Sequence, residues 1–281
     1  MVLFPERCFP ALLTAFCLIL WFDPVRAQGL LKSGFGGGGE SVAFVIGEGR
    51  EAVTLGVAGR NLSAAKLDGA AASPTAKFAD PVSRLVVFRS PQSLGQGFRL
   101  ASRAPMGGLL RTPGNGVGGR IQSRVEAVSG KYLPFTLLRL NYDGSPPTPG
   151  TPLLNASGAV AAIAHGAVGE KGGYALPVEV LHRALESARQ GKGIEKAWLG
   201  LTLSPASGSP KIMRVLPDSP ASRAGLAKGD VLTEIGGMRV ADYGDAVNAF
   251  FLLRPGKPTL FKLSRGGVTK QLTLVPAVSK S

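Results

Sequence analysis

The stretch Val215 to Asp230, VLPDSPASRAGLAKGD, decides how the last third of the chain is read. Asp218-Ser219-Pro220 is a helix start. The short Ser219 hydroxyl suits an N-cap, and Pro220 suits the first turn, where its missing N–H is no loss. The run continues into Val231-Leu232-Thr233-Glu234-Ile235 and stops at Gly236-Gly237. Upstream, Trp198-Leu199-Gly200-Leu201-Thr202-Leu203 alternates like a strand around one glycine. Downstream, Asp245 to Leu253 has helical spacing and ends at Arg254-Pro255-Gly256.

In this order the three segments resemble a PDZ domain of the bacterial, HtrA type, over residues 197–277. The resemblance implies a peptide clamp in which Trp198, Leu199, Gly200 and Leu201 form the carboxylate-binding loop and the strand after it. A glycine there lets consecutive backbone N–H groups converge on an anion. Leu201, Thr202 and Leu203 offer an edge to which a peptide can add as another strand. Val247, Phe250 and Phe251 fall at helical spacings. Taken singly such residues are core, and one of the two phenylalanines is expected to face the groove. The expected ligands are unstructured or C-terminal peptides ending in an apolar residue. Ser219 and Pro220 are assigned a structural role only.

From Ser41 to about Ala167 short apolar runs (Val42–Ile46, Leu85–Phe88, Phe135–Leu140, Ala159–Ala164) are divided by Gly, Pro and Asn, as at Thr112-Pro113-Gly114-Asn115-Gly116. That spacing argues for strands in a barrel or sandwich. Residues 178–190 then carry Val178, Leu181, Leu185 and Ala188 on one helical face, with Pro177 before and Gly191 after. Gly191-Lys192-Gly193 reads as a hinge within a 191–196 linker. Four segments of residues 41–190 resemble trypsin-like proteases of the HtrA/Deg family: Asp80 to Val87, Pro147 to Asn155, Gly173 to Pro177, and the helix leading to Trp198. The expected fold is therefore mainly β, a trypsin-like double β-barrel followed by a linker helix and an α+β PDZ domain. The region is short for two six-stranded barrels, so strands or loops are expected to be missing.

A protease triad needs a nucleophile, a base and a group that orients the base. Aligned on Pro152, the resemblance places the nucleophile on Pro149, which has no hydroxyl, and the orienting aspartate on Arg84, which reverses the charge. The base falls near Val57, and no histidine precedes His165. The two oxyanion donors would be the amides of Pro147 and Pro149, and proline has no N–H. Ser145 sits before two prolines and suits a turn. His165 suits a structural role and His182 an exposed helix face. On this basis the chain is expected not to be an enzyme.

Residues 1–27 read as a secretory signal, with Arg7 in a polar start, Ala11 to Phe22 as the apolar core, and Val25-Arg26-Ala27 before cleavage. Residues 28–40, with Gly36 to Gly39, read as a flexible leader. The signal contains both cysteines, Cys8 and Cys17, so the mature chain would have no disulfide. No cofactor or metal is expected. Cleavage leaves 30 basic and 16 acidic residues and a net charge of +14. The basic residues are scattered without aromatic interleaving, which favours a solvated surface with weak attraction to anionic polymers over a specific nucleic-acid site. The expected function is that of a periplasmic or extracellular HtrA-like pseudoprotease, binding peptides or C-termini of exported proteins as adaptor or sensor. The resemblance also implies homo-oligomers or an HtrA-type partner. The alternatives are an active HtrA-like serine endopeptidase and a basic envelope-binding protein.

Overall fold

The computed structural model describes residues 29–35, 38–68, 74–114, 116–128, 131–204 and 208–279. The expected signal segment, Cys8 and Cys17, Gly36, Gly37 and Asn115 lie outside these residues.

Six antiparallel strands form the first sheet: β1 (Leu30–Gly34), β2 (Glu40–Ile46), β3 (Glu51–Leu55), β4 (Lys66–Asp68), β5 (Thr75–Ala79) and β6 (Leu85–Arg89). Their order is β4-β1-β2-β3-β6-β5. The apolar runs are continuous because both faces of this sheet are covered. Phe44, Val53, Leu55, Leu85 and Val87 enter the core shared with the second unit, while Val45, Ala52, Val86 and Phe88 enter a separate outer cluster. Within the expected 28–40 leader, Leu30–Gly34 form a strand instead of a flexible segment. Leu30 to Gly34 pair with Phe44 to Glu40, and Lys32 to Gly34 also pair with Asp68 to Lys66. This ladder satisfies backbone groups that a free leader would give to water.

A closed barrel follows, with β7 (Gly108–Arg111), β8 (Gly118–Val128), β9 (Lys131–Tyr142), β10 (Pro152–Leu154), β11 (Val160–Val168) and β12 (Gly172–Pro177) in the order β10-β11-β12-β9-β8-β7. The strands expected to be missing are thus present. Among the described residues each unit holds six, and only the second closes. Helix α1 (Val178–Gln190) buries Val178, Leu181, Leu185 and Ala188, and it ends where Gly191 adopts a left-handed conformation and caps Ala188 and Ser187.

The last unit contains β13 (Ala197–Trp198), β14 (Leu201–Leu203), β15 (Ile212–Val215), helix α2 (Pro220–Arg223), β16 (Val231–Ile235), β17 (Met238–Arg239), helix α3 (Tyr243–Leu252), β18 (Thr259–Arg265), β19 (Val268–Leu274) and β20 (Ala277–Val278). Ser219 caps α2 by accepting from Ser222 N–H at 3.1 Å. Ile212, Ala221, Leu232, Ile235, Ala246, Ala249, Phe261 and Leu263 make a core of its own.

Helix α3 has two packing partners. One side covers that core, and the other lies on β8 and β9 of the barrel. Phe251 meets Phe135 edge to face, with ring centroids 5.0 Å apart. Asn248 accepts from Thr136 N–H at 2.7 Å and donates to Thr136 Oγ1 at 2.9 Å. Arg124 donates to Asp245 at 2.5 Å and to both oxygens of Asp242 at 2.7 and 2.9 Å. Burial opposes the charge on Arg124, but Asp245 and Asp242 outweigh it and raise its pKa. Arg124→Met is therefore expected to weaken domain docking by about 2 kcal/mol. Because Asp242 also caps α3, the measurement is a double-mutant cycle with Asp245→Asn, read by chemical denaturation of the full chain. A coupling energy near zero would show that this contact does not hold the domains together.

Candidate functional site

Strand β14 pairs only with β15 among the described residues, leaving its other edge open. Immediately before it, Gly200 has φ +74°, a left-handed conformation that favours glycine. The carbonyls of Leu199 and Gly200 accept from Ala221 and Leu216 N–H at 2.9 and 2.8 Å. Among the described residues no acceptor meets the Leu199 or Gly200 N–H. The loop therefore uses its acceptors internally, while these two donors stay unused among the described residues.

The side chains of the expected clamp divide by role. Leu199 is buried in the core of its own unit, so only its backbone is available. Trp198 is 38% exposed and belongs to β13, which pairs with β20. Leu201 and Leu203 pack partly on the core, and Thr202 between them is exposed. Successive α-helical residues turn by about 100°. In α3 this places Ala246 and Ala249 on the core side, Asn248 and Phe251 on the barrel side, and Tyr243, Val247 and Phe250 on a stripe between them. Val247 and Phe250 are half-buried there. Phe251 departs from the expectation: its ring meets Phe135 edge to face, on the barrel side of the helix next to that stripe. Tyr243 was missed, although its place four residues before Val247 would have included it.

The residues matched to a triad are placed as follows. Val57 follows β3, and Arg84 precedes β6. Gly56 N–H donates to Arg84 O at 2.7 Å, so the two segments are adjacent. Arg84 has φ +60°, and the turn before it is held by Asp80, which accepts from Ser83 N–H at 2.7 Å and from Ser83 Oγ at 2.5 Å. Pro149 lies at a junction between the first sheet and the barrel. Its carbonyl accepts from Val42 N–H at 2.9 Å and Ser41 Oγ at 2.7 Å, and Thr54 Oγ1 donates to Ser41 Oγ at 3.2 Å. Gly150, at φ +89°, has no room for a Cβ, which would lie 2.0 Å from Val42 O. Pro147 is half-buried in the same loop, and Ser145 is exposed.

His165 stands on β11, where the pairing with β12 shifts register. Burial, reinforced by the Arg84 charge, lowers its pKa to about 4. Burial also lowers the pKa of Arg84, whose Nε has no partner among the described residues. His182 is exposed, with Nε2 2.8 Å from Ala101 O.

The fold and the groove define the class: a mainly β, HtrA-type protease fold with a C-terminal PDZ domain. A family model described as PDZ domain matches residues 197–275. Among relatives, a DegP-like periplasmic serine endoprotease of Marinomonas sp. (strain MWYL1) is 30% identical over 134 residues, covering 42% of this chain and 28% of that protein. A protein of the same description from Halomonas elongata is 28% identical over 160 residues, covering 51% and 33%. The chain thus spans about a third or less of the length of these relatives. The solved structure of the HtrA-type protease AlgW with tripeptide superimposes with a TM-score of 0.60 at 18% identity, covering 91% of this chain and 95% of that one. The relatives' names correct the expectation that the chain is not an enzyme, because serine endoproteases point to an enzyme. No helix among the described residues is long and apolar enough to cross a membrane.

Proposed function

We propose that the chain acts in the periplasm as an HtrA-type protein that captures peptides, gripping unfolded segments or protein C-termini in its PDZ groove as an adaptor or sensor. The observation that carries this is the open edge of β14, set between the donor-bearing Leu199-Gly200 loop and the Val247–Phe250 stripe of α3. A bound peptide would extend the β14–β15 pair, with its carboxylate at the loop and its last side chain against the stripe. The periplasmic descriptions of the relatives support the location, and the AlgW structures with tripeptide and decapeptide support the ligand class.

Titration calorimetry of the full chain with short peptides ending in Val, Ala or Phe tests this. Free-carboxylate peptides are expected to bind at least about tenfold more tightly than their amidated forms, because charge-assisted bonds to the loop are lost on amidation. Failure of every apolar C-terminus to bind would reject the proposal.

The register of the protease-like unit is part of the same proposal: Val57, Arg84 and Pro149 occupy the triad-equivalent positions, and Pro147 and Pro149 the oxyanion-equivalent ones. The endoprotease class of the relatives makes labelling with a fluorophosphonate the direct test. Residues 147–151 contain no serine, so no label is expected in the loop or at Ser145 beside it. A label mapped to Ser145 in the adjoining turn would move the nucleophile position and overturn the assignment of Pro149.

A further inference from the structure

A cavity of about 690 Å3 opens between the PDZ unit and the rest of the molecule. Its cationic lining comes from both sides: Arg103 and Arg183 from one, Arg254 and Lys257 from the other. Arg183 is 5% exposed, donates to Glu195 O at 3.1 Å, and its Nε has no partner among the described residues. Arg254 chelates Glu186, which also lies 3.7 Å from Arg183 and feels the charge of Lys257. Glu186 therefore faces three cations, and Glu195 adds a second carboxylate near Arg183. Burial, and then repulsion from Arg254, push the Arg183 pKa down against the opposing charges of Glu186 and Glu195.

The carboxylate in the lining, Glu179, does not redress this. Its Oε2 is buried without a partner, and burial raises its pKa against the opposing effects of Ala104 N–H, Arg103 and His182. Ser102, His182 and Thr259 add polar groups, and Met238, Leu252 and the 39% exposed Leu260 give the PDZ side an apolar stretch. A volume of several hundred Å3, concave, at a domain boundary and mostly apolar with a few convergent charges, suits a small organic ligand.

We propose that this cavity binds an anionic amphiphile, a single acyl chain with a carboxylate or phosphate head. The head lies among Arg103, Arg183 and Lys257, and the chain lies over Met238, Leu252 and Leu260. Since both units supply the walls, the ligand bridges them. The site is separate from the β14 groove, so it stands or falls independently of peptide capture.

The experiment is calorimetric titration of the full chain with laurate and with dodecyl phosphate, both below their micellar concentrations. Inorganic phosphate serves as the head-only control and dodecyl maltoside as the uncharged-chain control. One equivalent of each anionic amphiphile is expected to bind, with both controls at least about tenfold weaker. Arg103→Glu combined with Lys257→Glu should weaken binding at least about tenfold, as should the independent variant Leu260→Asp. Inorganic phosphate binding as tightly as dodecyl phosphate would reduce the site to a simple anion pocket and overturn the proposal. Equal binding of the maltoside, unchanged affinity in a folded variant, or displacement by saturating apolar C-terminal peptide would overturn it too, the last by placing the amphiphile in the PDZ groove.

Discussion

Gly200→Ala is expected to abolish capture of peptide termini and to destabilise the PDZ unit by about 2–4 kcal/mol, the sum of left-handed strain on a residue with a Cβ and of overpacking. The backbone sits at φ +74°, and an added Cβ would lie 2.2 Å from Ser219 Cβ and 2.8 Å from its Oγ. Ser219 cannot give way cheaply. It is fully buried, donates to Leu216 O at 2.6 Å and accepts from Ser222 N–H as the cap of α2. Leu216 N–H in turn holds Gly200 O, so relief at one atom disturbs the next. Chemical denaturation measures the stability, and titration with an apolar C-terminal peptide measures the binding. Adding Ser219→Gly removes the obstructing Cβ and should recover part of the stability despite the lost cap, worth about 1 kcal/mol. Wild-type stability and affinity in Gly200→Ala would refute the packing account and the loop assignment together.

His165 is expected to make the fold acid-sensitive well above the carboxylate range. Its folded pKa, about 4, lies below the usual histidine value of 6.5, so between these values the unfolded chain binds the proton and the folded one does not. Stability is therefore full above pH 6.5 and falls as the pH drops towards 4. A depression of this size corresponds to about 3 kcal/mol by the end of that window. Arg84 contributes because its charge opposes a second cation beside it. Glu179 works in the opposite sense: its pKa is raised, so its contribution grows as the pH falls. Glu51 and Asp230, with pKa values below their ordinary ones, lose their contributions only lower still. The readout is accordingly the difference between wild type and His165→Asn in denaturation series at pH 7, 5.5 and 4. Parallel curves would show that His165 does not carry the dependence.

Much of the architecture could be read locally. The α1 boundaries follow from four spaced apolar residues, a proline before them and a glycine that turns left-handed after them. The α2 start follows from Ser219, whose hydroxyl oxygen accepts from Ser222 N–H three residues on. Strand β1 was hidden because a glycine run follows it, and only its pairing with Phe44 to Glu40 distinguishes it from a leader. The left-handed turn at Gly200 and the helical grouping of Val247 with Phe250 could be read from spacing, but the contact of Phe251 with Phe135 could not, since helical periodicity groups residues by face without naming the neighbour each face meets.

Local chemistry by itself determined the turns, the helix caps, the apolar runs and the left-handed glycine before β14, because each depends on residues a few positions apart. Tertiary structure alone decided that the first sheet stays open while the second closes, that α3 turns Phe251 onto Phe135, and that Arg124 meets Asp242 and Asp245 more than a hundred positions away. Those outcomes depend on which surfaces the folded chain brings together, and spacing along the chain carries no record of them.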